Sequence, residues 1–241
     1  SRETYKSASV VLWLSRLSAT MGQMFNKNVL VMENPLSLDI KNDYKNNSNF
    51  QNIISVARFD SSQKRIDRLF EVFAKVLRKR PDIKLYLVGP YDLSMKNPMK
   101  KEETIAQLIT RLNIPEGSII FSGEVKEVEK YYSKAFVNVV TSERDGFGLT
   151  VLEAASFGLP SVVFNGVGAS DIIEDNINGY VIQDGNVDDM AEKILMLLNN
   201  EEIYEKVSKK AFNLAREYTI DIISAKWKAL INSILNSTYH F

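Results

Sequence analysis

The chain has 241 residues, 45% apolar, 25% charged and 10% aromatic, the make-up of a soluble globular protein and not of a disordered or fibrous one. Thirty Lys and Arg balance thirty Asp and Glu, so composition gives no support for a nucleic-acid partner, and any anionic ligand must be held locally. The absence of cysteine excludes disulfides, thiolate nucleophiles and cysteine-ligated metals and favours a cytoplasmic setting; the single histidine, His240, stands in a tail expected to fray, which removes Ser-His-Asp triads, His-ligated zinc and imidazole bases.

Apolar stretches such as Val10 to Leu14 fall far short of the roughly 18 residues that span a bilayer, and no signal peptide is visible. The chain opens on Ser1 and not on Met, which reads as a processed or shortened protein. In chain order, residues 1–40 read as strand (8–14), helix (15–25) and strand (29–32), a fragment with too few elements to bury its own faces. An Asn-rich polar stretch follows, with a linker placed at 41–50.

From residue 52 short β-branched runs alternate with amphipathic stretches, the pattern of βαβ units. Strands are predicted at 52–57, 83–88, 118–121, 136–141, 161–164 and 179–182, and helices at 64–80, 102–112, 125–135, 148–158, 169–175 and 187–199. This gives a doubly wound, mostly parallel six-stranded α/β sheet of Rossmann-like type over 51–218. Helices at 201–217 and 220–235 close it; the last is expected to pack Ile222, Ile223, Trp227, Leu230, Ile231 and Leu235 back across the first segment, with 219–241 as a separate crossing piece.

Chemistry concentrates where strands end. After the predicted fourth strand comes Asp145-Gly146-Phe147-Gly148-Leu149-Thr150, with glycines that let backbone approach a ligand and a helix terminus suited to a phosphate. Glu153 lies about a turn into that helix and Asp145 just before it, so two carboxylates flank the terminus, and a carboxylate suits paired sugar hydroxyls. After the predicted first strand, Arg58 and Lys64 combine a fork and a point charge that can clamp a diphosphate. Taken alone, each has a plain reading, a tight turn with solvated acids or an arginine in a surface ion pair with Lys64 and Arg65 on a wet helix face. Gly89-Pro90, Phe121-Ser122-Gly123 and the Gly166 to Asp171 turn fall at the same edge.

Together these motifs resemble the donor-binding half of retaining glycosyltransferases of family 4, which have the GT-B fold; the resemblance covers about residues 50–235, and 8–36 look like the end of the family's first, acceptor-binding domain. It implies that Arg58 and Lys64 hold the donor diphosphate and that Glu153 binds ribose hydroxyls. It also implies that Phe147, Gly148, Leu149 and Thr150 turn amides to sugar and phosphate, and that Gly123 to Val125 lie near the nucleobase. Asp145 stands where the family has Glu, one methylene shorter, and Asp171 also replaces a Glu; Glu143 lies outside the spacing and is not expected to substitute.

The implied substrate is a nucleoside diphosphate sugar, UDP-sugar favoured, and the implied acceptor a glycan or lipid-linked sugar. Positive charge from Arg58, Lys64 and the helix terminus relieves the leaving group, so no metal is expected. Any membrane contact falls to a domain outside the chain, and this chain alone is expected to bind donor but transfer poorly. A dehydrogenase-type NAD domain is disfavoured because the first turn, Arg58 to Lys64, carries no glycine, and Gly166-Val167-Gly168 leads to Asp171. A catalytically silent binding module remains the main alternative, and an epimerase or phosphorylase a weaker one.

Overall fold

The computed structural model describes residues 2–40, 44–166 and 168–235; His240, Val167 and the first three residues of the predicted linker lie outside them. The chain begins with α1 (Arg2–Ser7), β1 (Val11–Trp13), α2 (Arg16–Gly22) and β2 (Val29–Val31). Then come β3 (Ile53–Val56), α3 (Ile66–Lys79), β4 (Leu85–Val88), β5 (Lys96–Asn97), β6 (Lys100–Thr104), α4 (Ile105–Arg111) and β7 (Ile119–Gly123). The second half runs α5 (Glu129–Tyr132), β8 (Val137–Val140), α6 (Leu149–Ser156), β9 (Ser161–Phe164), α7 (Gly168–Ile172), β10 (Gly179–Ile182), α8 (Val187–Asn199), α9 (Glu201–Ala215) and α10 (Ile220–Leu235).

Six strands form one parallel sheet in the order β10-β9-β8-β3-β4-β7. All four residues of β8 and of β9 are buried, as strands covered by helices on both faces require. One face packs against α3 and α8 through Leu69, Phe73, Val76 and Ile194; the other packs against α6 through Val151, Leu152 and Ala155. In this order the chain starts in the middle and winds outward both ways, so the sheet reverses direction of travel between β3 and β8. At such a switch point, outside the carboxyl ends of the strands, doubly wound sheets open a crevice. The crevice is sharpened here because β3 and β8 pair only at Ile53 and Ile54, after which the Ser55 hydroxyl donates to the Val139 carbonyl at 2.6 Å.

The amino-terminal β1, α2 and β2 make a small parallel βαβ unit, with Ser15 capping α2. It lies against the main sheet domain: Asp171 on α7 accepts from the Leu17 amide at 2.8 Å, Leu36 donates to the Tyr218 carbonyl at 2.7 Å, and Lys226 on α10 pairs with Glu33 at 3.2 Å.

Several expected boundaries move. Lys64 does not open a helix; it ends a short 3-10 turn, and α3 starts at Ile66 after a left-handed Arg65. The expected helix at 125–135 shrinks to Glu129–Tyr132, because no side chain caps it and Val125 and Val128 turn into the core. Residues 102–104 belong to a polar antiparallel hairpin, β5-β6, and Thr104 then starts α4 through a capping box with Gln107. Tyr44 and Asn47, placed in the linker, are held by Ser208 at 2.9 Å and the Phe157 carbonyl at 3.2 Å.

On α10 only Ile223 and Leu230 are buried, whereas Ile222, Trp227, Ile231 and Leu235 are exposed. The expected broad apolar stripe is a narrow seam, since one helix crossing a surface meets it along residues seven apart. Trp227, expected in the core, is therefore a surface residue.

Candidate active site at the sheet switch point

The loops after β3 and β8 bound a cleft of about 250 Å³, lined among others by Arg58, Lys64, Thr141, Asp145 and Thr150. Lys64 and Asp145 face each other across it, Nζ to Oδ2 3.6 Å, with only 25% and 17% of their side chains exposed. Arg58 stands at the mouth, 77% exposed, and pairs with Asp60 at 3.3 Å. Sequence-predicted Arg58, Lys64, Asp145 and Thr150 thus share one wall-to-wall space.

Asp145 is tied within its own turn, because its Oδ1 accepts from the Phe147 amide at 3.1 Å while its carbonyl accepts from Gly168 at 2.8 Å. The Phe147 amide is therefore engaged by protein, and its ring is buried against Tyr218. The amides of Leu149 and Thr150, at the first turn of α6, have no acceptor among the described residues and leave partial positive charge at the cleft.

Gly148 begins α6 at φ 95°, and a Cβ there would lie 2.6 Å from the Ala169 Cα. Its freedom is demanded by the packing of α6 on α7, a different reason from the ligand approach expected of it. Gly168 meets the same constraint from the other side, 2.6 Å from the Gly146 carbonyl.

Glu153 sits one turn along α6 from these amides. Its Oε2 accepts from the hydroxyl of Tyr132 at 3.0 Å, and its Oε1 from Ser37 at 3.5 Å. Burial pushes the Glu153 carboxyl above its usual range; the two hydrogen bonds pull it down only in part, and Glu129 adds to the rise. Gly123 ends β7, two strands from β3, Val125 lies two residues beyond it, and neither lines the cleft. They adjoin Glu153 through α5: Val125 packs in the cluster that contains the fully buried Tyr132.

Sequence reasoning missed Tyr132, Ser37, Thr141 and the Arg65 side chain. Arg65, read as facing water on a helix, is 2% exposed and grips Asp67 with Nε at 2.9 Å and Nη2 at 2.8 Å. The signal available was Asp67 two residues on, where a helix face would have separated the pair. Asp188-Asp189 opens α8, with Asn186 capping it and Asp188 paired to Lys75.

The six-stranded, Rossmann-like parallel sheet is that of GT-B glycosyltransferase domains. Residues 38–214 match the family profile described as glycosyl transferases group 1, and the chain belongs to that family. It is 29% identical over 229 residues to an uncharacterized glycosyltransferase of Haemophilus influenzae, covering 95% of this chain and 60% of that protein. It is 36% identical over 172 residues to the poly(ribitol-phosphate) alpha-N-acetylglucosaminyltransferase of Staphylococcus aureus, 70% of this chain and 33% of that one.

A crystal structure of S. aureus TarM, a mutant in complex with fondaparinux, alpha-GlcNAc-glycerol and UDP, superposes with a TM-score of 0.79 at 28% identity, covering 96% of this chain and 45% of that one. The chain thus spans between a third and three-fifths of these relatives' lengths. Among the described residues no helix is long and apolar enough to cross a membrane.

Proposed function

We propose that the chain is the donor-binding part of a retaining, family 4 glycosyltransferase that moves a sugar from a nucleoside diphosphate sugar, UDP-sugar favoured, to a glycan or lipid-linked acceptor in polysaccharide or glycoconjugate synthesis. The observation that carries this reading is the meeting of Lys64, Arg58, Asp145 and the α6 terminus in one cleft at the switch point. UDP in the TarM complex and the alpha-N-acetylglucosaminyl group in the name of the staphylococcal relative support a UDP-sugar donor.

In this reading the diphosphate lies between Lys64 and the amides of Leu149 and Thr150, with Arg58 folding in from the mouth. As the anomeric bond breaks, negative charge grows on the leaving phosphate oxygen, and these groups stabilise it with no metal ion required. Glu153 accepts from the ribose hydroxyls, Gly123 and Val125 border the base, and Asp145 faces the sugar. Because Asp145 is short and held by Lys64 and Phe147, it reaches the sugar only when the diphosphate takes Lys64 from it.

Residues 1–40 then are the end of an acceptor-binding domain, 41–50 a linker, 51–218 the donor domain and 219–241 the helix that crosses back. The acceptor lies across the cleft, whose second wall comes from a part outside this chain. That part also makes any contact with the inner face of the membrane, and the site works in the cytoplasm.

Saturation-transfer NMR with UDP-glucose, UDP-N-acetylglucosamine, GDP-mannose and NAD tests this. The expected result is transfer to uracil and ribose protons of the UDP-sugars alone. Transfer to NAD alone supports a dehydrogenase-type domain, and none to any nucleotide supports a silent module.

A further inference from the structure

We propose that Arg65 is a positioning residue which, through a buried ionic clasp, holds Lys64 in the cleft; the inference rests on the donor-site reading above. Arg65 has φ 49° and ψ 51°, left-handed values that a residue with a long side chain rarely adopts and that Gly or Asn would satisfy more easily. Its guanidinium is also buried, at a desolvation cost that persists only where the charge is fully paired. Two unfavourable features thus fall on one residue, next to Lys64.

The pairing explains them. Nε and Nη2 take both oxygens of Asp67, which is 1% exposed, and Nη1 reaches Glu143. Glu143 belongs to the loop after β8, two residues before Asp145, so the clasp runs from the Lys64 loop to the Asp145 loop across the point where β3 and β8 part. Three further hydrogen bonds reinforce it. The Thr141 hydroxyl reaches the carbonyls of Lys64 and Arg65 at 3.2 and 3.1 Å, and the Glu143 amide donates to the Gln63 carbonyl at 2.8 Å.

Arg68 adds a weaker contact to Glu143 at 4.0 Å while it pairs with Asp184 at 2.6 Å. A plain strand-to-helix turn needs none of this. What the clasp fixes is the backbone of residues 63–65 against strand β8, and with it the position of the Lys64 ammonium opposite Asp145. An observed backbone outlier held by surrounding structure beside a reactive group is the pattern from which a positional role follows.

The test is a double-mutant cycle read on two ligands. UDP and uridine affinities are measured for the unaltered chain, for Arg65→Gly with Asp67→Asn, which removes both buried charges and the backbone strain, and for Thr141→Val. Each is made with and without Lys64→Ala. The expected result is a roughly tenfold loss of UDP affinity for the clasp variant, a smaller loss for Thr141→Val, and uridine within about twofold. Both UDP losses disappear in the Lys64→Ala background.

Losses that fall equally on uridine, or that persist without Lys64, overturn the inference in favour of general structural support. The acylation rate of Lys64 by an amine-directed reagent, followed by mass spectrometry against exposed Lys101, gives a reading without nucleotide. It rises severalfold in the clasp variant if the clasp holds Lys64, and an unchanged rate overturns the inference. Failure of the unaltered chain to bind UDP sinks the donor reading instead, and the labelling still decides whether Arg65 holds Lys64.

Discussion

Glu153 is caught between a half-buried position and the charge its proposed role requires. Its raised pKa means the folded chain keeps a proton that the unfolded chain has already released, so the group costs nothing below its unfolded value near 4.5, and the destabilisation builds as pH rises from there and is complete once pH passes the raised value. Glu153→Gln keeps an acceptor for the Tyr132 hydroxyl and removes the charge. We expect it to raise the urea midpoint at pH 7 but not at pH 4. The same substitution is expected to weaken UDP roughly tenfold, the loss of charge-assisted bonds to the ribose hydroxyls. A variant that gains stability and keeps full UDP affinity removes Glu153 from the ribose site.

At this scale the sequence disclosed the basic pair and both acids, because they are local in the chain and sit just past obvious strands. It did not disclose Arg65, whose burial depends on Glu143, 78 residues away, nor Tyr132, whose hydroxyl finds Glu153 21 residues on. Long-range pairing of polar groups leaves no periodic trace.

Among the elements, α6 and α7 are set against each other through Gly148. Gly148→Ala imposes a left-handed cost of about 1–2 kcal/mol and forces Ala169 away at a further 1–3 kcal/mol, so a loss of about 2–5 kcal/mol is expected by urea denaturation. A loss below about 0.5 kcal/mol would show that the contact relaxes freely.

The β5-β6 hairpin depends on Glu103, whose carboxyl the Arg111 hydrogen bonds hold down to about 2 against burial, with Asn97 assisting. That stabilisation is complete above the unfolded value of 4.5 and lost as pH falls toward 2. Amide exchange corrected for intrinsic rates should show the hairpin opening between pH 4.5 and pH 2 ahead of the sheet, and Glu103→Gln should open it already at pH 6. Protection of the hairpin that follows the sheet at every pH would contradict this.

Strand and helix positions in the main sheet followed from apolar runs bounded by Gly and Asp, the strongest kind of periodic signal. The hairpin carried no such signal, since β6 begins Lys100-Lys101-Glu102 and its order rests on the pairing of the buried Glu103 carboxylate with the part-exposed Arg111. The helix expected at 125–135 came out short for a related reason: Val125 and Val128 suit a helix pattern but serve a core.

For the whole molecule, chain order and sheet order together place the site. Parallel strands put every strand-ending loop on one edge, and the reversal between β3 and β8 selects two of those loops, the ones that carry Lys64 and Asp145. The sheet class was legible from alternation alone. Strand order was not, because nothing in a single sequence fixes which parallel strands are neighbours. The exposed apolar residues of α10, Trp227 and Ile231, of α2, Met21, and of the turn after α2, Met24, were equally hidden, since exposure is a property of what lies opposite.

The central claim is that this cleft holds a nucleoside diphosphate through Arg58 and Lys64. Isothermal titration of UDP into the chain, and into the Arg58→Ala, Lys64→Ala double variant, tests it most directly. Saturable binding to the unaltered chain is expected, with a loss of roughly a hundredfold or more in the variant, two charge-assisted contacts being removed. No binding to the unaltered chain, or equal binding to both, contradicts it.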